Sequence, residues 1–278
     1  MKQLQARLFG LFKFGYLSLY LLGMLFPLYW IVITSFKPQK DIFSMPIKYW
    51  PSKFTLDNYI NIFKISKFQI YITNSLIIAI VAALIVLVIA ILSAYVLARF
   101  SFRGHRQIMF AFFLTQMLPG FIALAPLYIM MNKMGLLNTR FSLILMYTVG
   151  LIPFSTIMLR GFFQRIPSSL EEAAMIDGCS RFTALIRIII PVMLPGIAST
   201  FIFAFVQNWN ELFLSVMFIN SDSLRTLPVA MNSFILKFDV DWGSMSAGAV
   251  ISVIPTILIF AFAQRFIVEG LTQGAEKG

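Results

Sequence analysis

The sequence is poor in chemistry-bearing side chains. It has one cysteine and one histidine. A lone cysteine, Cys179, excludes an internal disulfide and a cysteine-held metal cluster. The lone histidine, His105, sits in the basic run 99–106 and reads as a solvated loop residue, so zinc chemistry and histidine-dependent catalysis are poorly supplied. Charge is scarce too, at 12% of residues, with 11 acidic side chains against 22 basic ones. The resulting formal charge of +11 could suit nucleic acid, but the basic residues fall between long apolar runs. Control of membrane topology and contact with lipid headgroups account for them better, and no nucleic acid partner is expected. The chain has no glycine-rich phosphate loop carrying lysine and no carboxylate pair within its apolar runs. It is not expected to be an enzyme, nor to bind a cofactor or metal itself.

What the sequence has in abundance is apolar length. Hydrophobic residues make up 59% of the chain, and the mean hydropathy is +0.86. A soluble domain could not cover so much apolar surface. Windows free of Asp, Glu, Lys, Arg and His run 14–36, 68–98, 107–132, 141–159, 188–210 and 242–264, all 19 residues or longer. A helix crosses a bilayer core in about 20 residues, so the expectation is an all-α integral membrane protein with six spans. Barrel strands would need only about 10 alternating residues each. The first window is too long for a signal-peptide core, lacks a clear cleavage site before Lys37, and reads as a retained span. The absence of ionisable groups from all six windows counts against the alternative function, an ion-coupled secondary transporter or channel. Prolines at 27, 119, 126, 153, 191, 195 and 255 fall within or beside spans, which suits helices that bend around a pathway.

Between the windows, residues 37–67 read as a polar connection with short surface helices, one starting at Leu56-Asp57-Asn58-Tyr59. Residues 133–140 read as a tight turn around Gly135 and Asn138. Residues 212–221 are apolar but too short to cross, which fits a re-entrant or interfacial helix. A polar loop, 222–241, and a tail, 264–278, complete the chain.

The polar interruption 165–196 reads as a structure of its own. Ser168 with Glu171, or Ser169 with Glu172, fits a capping box. Two glutamates in a first turn suit the helix dipole. Gly178 after Asp177 closes the helix, and Ser180 can cap a second one. Phe182, Leu185, Ile186 and Ile189 then fall on one helical face. The spacing Glu172-Ala173-Ala174-x-x-x-Gly178, nine residues, then Ile188-x-x-Pro191 resembles the EAA loop of permease subunits in binding-protein-dependent ABC importers. Ile190 stands where the family has leucine, and Cys179 occupies a usually small position. Asn210-Glu-Leu-Phe213, Thr226-Leu-Pro228, the Phe26–Trp30 run, Asn74-Ser75 and the tail are similar to the smaller permease subunit of maltose-type sugar importers.

The resemblance implies a type I ABC importer permease fold, with 71–263 as the shared core after residues 1–70 and before a cytoplasmic tail, 264–278. It implies a role in moving a sugar or oligosaccharide inward, coupled to ATP hydrolysis by other chains. The implied partners are a homologous second permease subunit, two ATPase subunits that bind ATP and Mg, an extracytoplasmic solute-binding protein and membrane lipid. Glu171, Glu172, Ala173, Ala174, Asp177 and Gly178 are the implied ATPase-coupling residues. Ser223, Leu224, Arg225 and Thr226 belong to a loop implied to contact the binding protein. No substrate ligands follow; aromatics such as Tyr147, Phe154 and Trp209 more often pack than line a path. Charge bias only slightly favours an inner N-terminus, and the resemblance places both termini in the cytoplasm of a prokaryotic cell.

Overall fold

The computed structural model describes residues 2–65, 67–232, 234 and 240–275, with side chains from residue 9 to residue 264 except 65 and the gaps just named. The regular structure among these residues is helical. Among the described residues, four helices are long and apolar enough to cross a membrane: α1 (Lys2–Ser35, apolar from Phe9), α4 (Phe68–Arg99), α7 (Arg140–Arg165) and α14 (Trp242–Ala275, apolar to Gln264). Between α1 and α4 come α2 (Gln39–Ile42) and α3 (Asp57–Ile65), the latter starting at the Asp57 the sequence suggested. The backbone of α14 continues to Ala275, through most of the expected tail; 276–278 lie outside the described residues.

Two expected spans are broken. The window 107–132 is α5 (His105–Met117), a 3-10 turn over Gly120–Ala123, and α6 (Leu124–Lys133), with a 95° bend. Pro119 is the cause: proline drives the residue before it out of the helical region, and Leu118 is extended at φ −78°, ψ 127°. The window 188–210 bends by 79° at Met193, between Pro191 and Pro195. It contains the last turns of a segment that opens with α9 (Arg181–Ala184), winds as a π-helix over Leu185–Ile189 and closes as α10 (Ile190–Val192). Beyond the bend lies α11 (Leu194–Trp209). Pro27, Pro153 and Pro255 sit inside unbroken helices.

The chain divides into two compact units. One comprises Met1–Phe68 and Met231–Ile254, the other Gln69–Ala230 and Pro255–Gly278, a division that cuts α14 in two. In the first, a knot of polar contacts orders the chain after α1. Asn58 Nδ2 donates to the carbonyls of Ser35 and Lys37. Asp41 accepts from Lys48 Nζ at 2.6 Å and from the backbone and hydroxyl of Ser52 at 2.7 and 2.6 Å. Lys37, almost fully buried, lies over the Trp30 ring and donates to the Lys48 carbonyl at 2.6 Å. A Cβ on Gly243 would collide with the Asn58 amide, so only glycine fits beside this knot.

The second unit is built around α4. Its inward face is alanine at 79, 82, 83, 90 and 94, each fully buried, while Ile77, Leu84, Val88 and Leu92 are exposed. Small residues on one face let helix backbones approach closely inside a membrane. One apolar cluster joins Ile78 and Ala82 to Leu143, Met146 and Tyr147; another joins Ala90, Ala94 and Tyr95 to Leu159 and Phe163. Residue numbers rise together on both helices, so α4 and α7 run parallel. Two parallel spans require the chain to cross back between them, and only α5 and α6 are available. The 95° bend is therefore a broken span, not a surface hairpin. The next crossing is antiparallel. A Cβ on Gly196 would lie 2.6 Å from Phe162, Phe203 stacks on Phe154 at 4.3 Å, and Glu211 meets Tyr147. The short apolar stretch after α11 forms α12 (Phe213–Phe218), whose Phe218 is buried in the first cluster. The connection from α6 to α7 turns on Gly135 and Asn138, both at positive φ, as the sequence indicated.

Candidate functional site

After α7, the chain turns at Ile166 into α8 (Ser169–Ile176). The expected capping box is not formed. Ser168 starts the helix in the helical region, and no side chain caps α8. Glu171 has a stronger partner. Its Oε1 accepts from Arg99 Nε at 2.6 Å and its Oε2 from Tyr95 Oη at 3.1 Å, and the carboxylate is buried. Arg99 also donates through Nη2 to the Ile166 carbonyl at 2.9 Å. One guanidinium thus joins the end of α4, the cap of α7 and the first turn of α8.

The end of α8 is a Schellman closure. Cys179 N donates to the Ala174 carbonyl at 2.9 Å and Gly178 N to Met175 at 3.1 Å, and Gly178 stands at φ +88°. Glycine takes this conformation without a Cβ clash. Ser180 then caps α9, accepting from Thr183 N at 3.1 Å. The apolar face proposed for this second helix is only half right. Leu185 and Ile189 are buried, but Phe182 and Ile186 are exposed. The buried row runs instead through Leu185, Ile189 and Met193, four residues apart, and the stretch Leu185–Ile189 is wound as a π-helix.

The six coupling candidates therefore separate. Glu171 and Ala174 point inward, whereas Glu172, Ala173, Asp177 and Gly178 share the exposed side. Leu170, Ile176 and Phe182 are exposed beside them, Ile176 at 86%. Arg99 and Tyr95 went unnoticed in the sequence; nothing local ties them to a residue more than 70 positions on.

The second candidate region, 222–226, is held by the first turns of α4. Asn74 Nδ2 donates to the carbonyls of Ser223 and Arg225 at 3.0 and 2.9 Å. Tyr71 Oη donates to Asp222 Oδ1 at 2.8 Å, and Ser75 Oγ accepts from Leu227 N at 2.7 Å, at the start of α13 (Leu227–Asn232). Ser223 is exposed, Leu224 and Arg225 are half-buried, and Thr226 is buried against Ser215. Residues 233 and 235–239 of the expected loop lie outside the described residues. A mainly apolar cavity of about 840 Å³ opens at the α5–α6 bend, with Gln116, Phe121, Gly150, Phe213 and Glu211 on its wall. Tyr147 and Trp209 are buried in packing, Trp209 stacked on Phe205.

The family described as the binding-protein-dependent transport system inner membrane component matches residues 87–273. The chain belongs to this family. It is a multi-pass permease component of an ABC importer, a transport subunit rather than an enzyme. It is 37% identical to the diacetylchitobiose uptake system permease protein DasC of Streptomyces coelicolor, over 92% of this chain and 93% of that one. It is 34% identical to the trehalose/maltose transport system permease protein MalG of Thermococcus litoralis, over 91% and 92%. A bacterial ABC transporter that imports the acidic polysaccharide alginate has the same fold. One of its chains matches with a TM-score of 0.81 at 22% identity, covering 93% of this permease and 96% of that chain.

Proposed function

We propose that this permease carries a sugar or oligosaccharide from an extracytoplasmic binding protein into the cytoplasm of a prokaryotic cell. It does so beside a homologous second permease and two ATPase subunits that bind ATP and Mg. The exposed side of α8 supports this most directly. Glu172, Ala173, Asp177 and Gly178 form a small corner, and the apolar Leu170, Ile176 and Phe182 around it are exposed among the described residues. Such a surface suits insertion into a groove of a soluble subunit, with Glu172 meeting a cation and Ala173 permitting close approach. Ala174 packs behind this surface. Both termini are then cytoplasmic, and 222–226 faces outward, where Ser223, Leu224, Arg225 and Thr226 form the ledge that meets the binding protein. The tail runs toward the ATPases. The sugar reading rests on the named substrates of the relatives.

Purification of a tagged chain from its native membrane tests the assembly. An ATPase and a second permease should come with it, and proteoliposomes should take up sugar only with binding protein and ATP. Isolation of the chain alone, or uptake driven by an ion gradient, would overturn the reading.

A further inference from the structure

The two candidate regions are attached to opposite ends of one helix. Tyr71, Asn74 and Ser75, in the first turns of α4, hold 222–227 through four hydrogen bonds. Tyr95 and Arg99, in its last turns, hold α8 through Glu171. The grips differ in kind but not in directness: each is made by α4 side chains, with no intervening element. At 1.5 Å per residue, the 25 steps from Asn74 to Arg99 span roughly 38 Å, more than the hydrocarbon core of a bilayer.

The helix is also built not to bend. Among the spans, α4 is the only one with neither proline nor glycine in its sequence. Every other span, broken or whole, carries both. Proline removes a backbone hydrogen bond and glycine adds backbone freedom, so α4 is the stiffest of the spans by composition. Ile78 and Ala82 in its outer half pack with Leu143, Met146 and Tyr147 of α7, and Ala90 and Ala94 in its inner half pack with Leu159 and Phe163 of α7 and with Leu185 and Ile189 of the π segment.

The inner joint is built to transmit displacement. The Arg99–Glu171 pair is almost dry, with the two side chains 11% and 7% exposed. Arg99 has a second bond to the Ile166 carbonyl, so α8 and the end of α7 are fixed to α4 together. Around it, Tyr95 packs edge-on to Phe100, and the Arg181 guanidinium lies 5.4 Å from the Phe100 ring. Arg160 Nε donates to the Leu97 carbonyl at 3.1 Å, and a ring nitrogen of His105 lies 2.9 Å from the same oxygen. The end of α4 is thus gripped from α5, α7, α8 and α9. A surface loop needs no such fastening; a lever does.

We propose that α4 is the strut that carries displacement between the binding-protein ledge and the ATPase-docking helix, with Asn74 its outer joint and the Arg99–Glu171 pair its inner joint. Arg99 and Glu171 are then positioning residues, distinct from Glu172, which faces the partner. The proposal rests on the importer reading above. It predicts that α8 keeps its distance from the end of α4 throughout the transport cycle, while both move against the partner subunits.

The test measures ATP hydrolysis by the whole complex in proteoliposomes, with and without saturating loaded binding protein. The readout is the ratio of stimulated to basal activity. Arg99→Ala, Arg99→Lys, Asn74→Ala and Val88→Gly are compared; Val88 is exposed and touches neither joint. Coupling energies between distant sites correspond to about 5- to 150-fold effects, so the ratio should fall about tenfold in Arg99→Ala. It should fall less in Arg99→Lys, which keeps the charge but loses the bridging fork. Val88→Gly should also lower it, although the residue contacts neither candidate region. The double variant Arg99→Ala/Glu171→Ala should be no worse than Arg99→Ala alone, because the two act as one joint. An unchanged ratio in Arg99→Lys and Val88→Gly, in complexes that assemble normally, would refute the strut. A wild-type complex that holds no ATPase would refute the importer reading itself.

Discussion

The Tyr147 hydroxyl donates to Glu211 Oε2 at 2.8 Å, and the same carboxylate accepts from Leu214 N at 2.9 Å and Ser215 N at 3.3 Å. One acidic side chain therefore starts α12 and ties it to α7. Loss of a helix cap costs about 0.5–2 kcal/mol, and a hydrogen bond to a charged group about 1.5–3 kcal/mol. Glu211→Ala should lower the thermal midpoint of the purified complex by several degrees. Tyr147→Phe should lower it less, because the backbone donors of α12 keep their acceptor. Equal midpoints in both variants and wild type would show that this carboxylate holds nothing in place.

Gly178 has open space around its missing Cβ, so a substitution there meets only backbone strain. A side chain at φ +88° costs about 1–2 kcal/mol. Gly178→Val should leave the permease in the membrane at near-normal levels while sugar uptake collapses. Glu172→Ala should do the same by removing a charge from the docking surface, and ATPase subunits should co-purify less well with both. Normal uptake by both variants would reduce α8 to an ordinary surface helix.

Gly196 presents the opposite case, a crowded glycine at normal φ. A Cβ there would lie 2.6 Å from Cγ of Phe162, at the root of the ring rather than at a flexible tip. Overpacking costs about 1–3 kcal/mol. Gly196→Ala should destabilise the complex, and Phe162→Leu in the same chain should recover part of the loss. No recovery would mean that the ring is not what sets the spacing of α7 and α11.

Cys179 is the only thiol and is half-buried just past the Gly178 corner. A small impermeant thiol reagent should label it in inside-out vesicles and not in intact cells. ATPase docking should slow the reaction. Labelling from outside would invert the proposed orientation.

Asp41 gives the connection after α1 a pH dependence of defined sign. Its hydrogen bonds from Lys48 and Ser52 hold the carboxyl well below the usual carboxylate range. A depressed folded pKa stabilises above the unfolded value of about 3.9 and loses that stabilisation as pH falls toward the folded one. Thermal stability should therefore be insensitive to Asp41 between pH 5 and 8, on the order of full ionisation. It should begin to fall only below about pH 4, and Asp41→Asn should flatten that acid limb. A slope due to Asp41 near neutrality would contradict the geometry.

Much of this molecule was legible in its residues, and the reason is the membrane. A bilayer leaves a spanning backbone only helices or a closed barrel, and windows this long exclude barrel strands, so charge-free length alone placed the apolar spans. Local chemistry placed Gly178, Asn138, Ser180 and the start of α3, because caps and positive-φ turns are decided by a few neighbouring residues. The spacing of Glu172, Ala173, Ala174 and Gly178 pointed to the family for the same reason. Tertiary structure alone decided three things. It set how far a proline bends its helix: a span breaks by 95° at Pro119, while Pro153 sits inside an unbroken α7. It turned Phe182 outward, because the fold buries the row of Leu185, Ile189 and Met193 instead. And it assigned the two adjacent glutamates opposite fates. Glu171 and Glu172 read alike in sequence, but only one can reach a guanidinium 72 residues away. A buried charge pairs with whatever the fold brings to it, which no local pattern records.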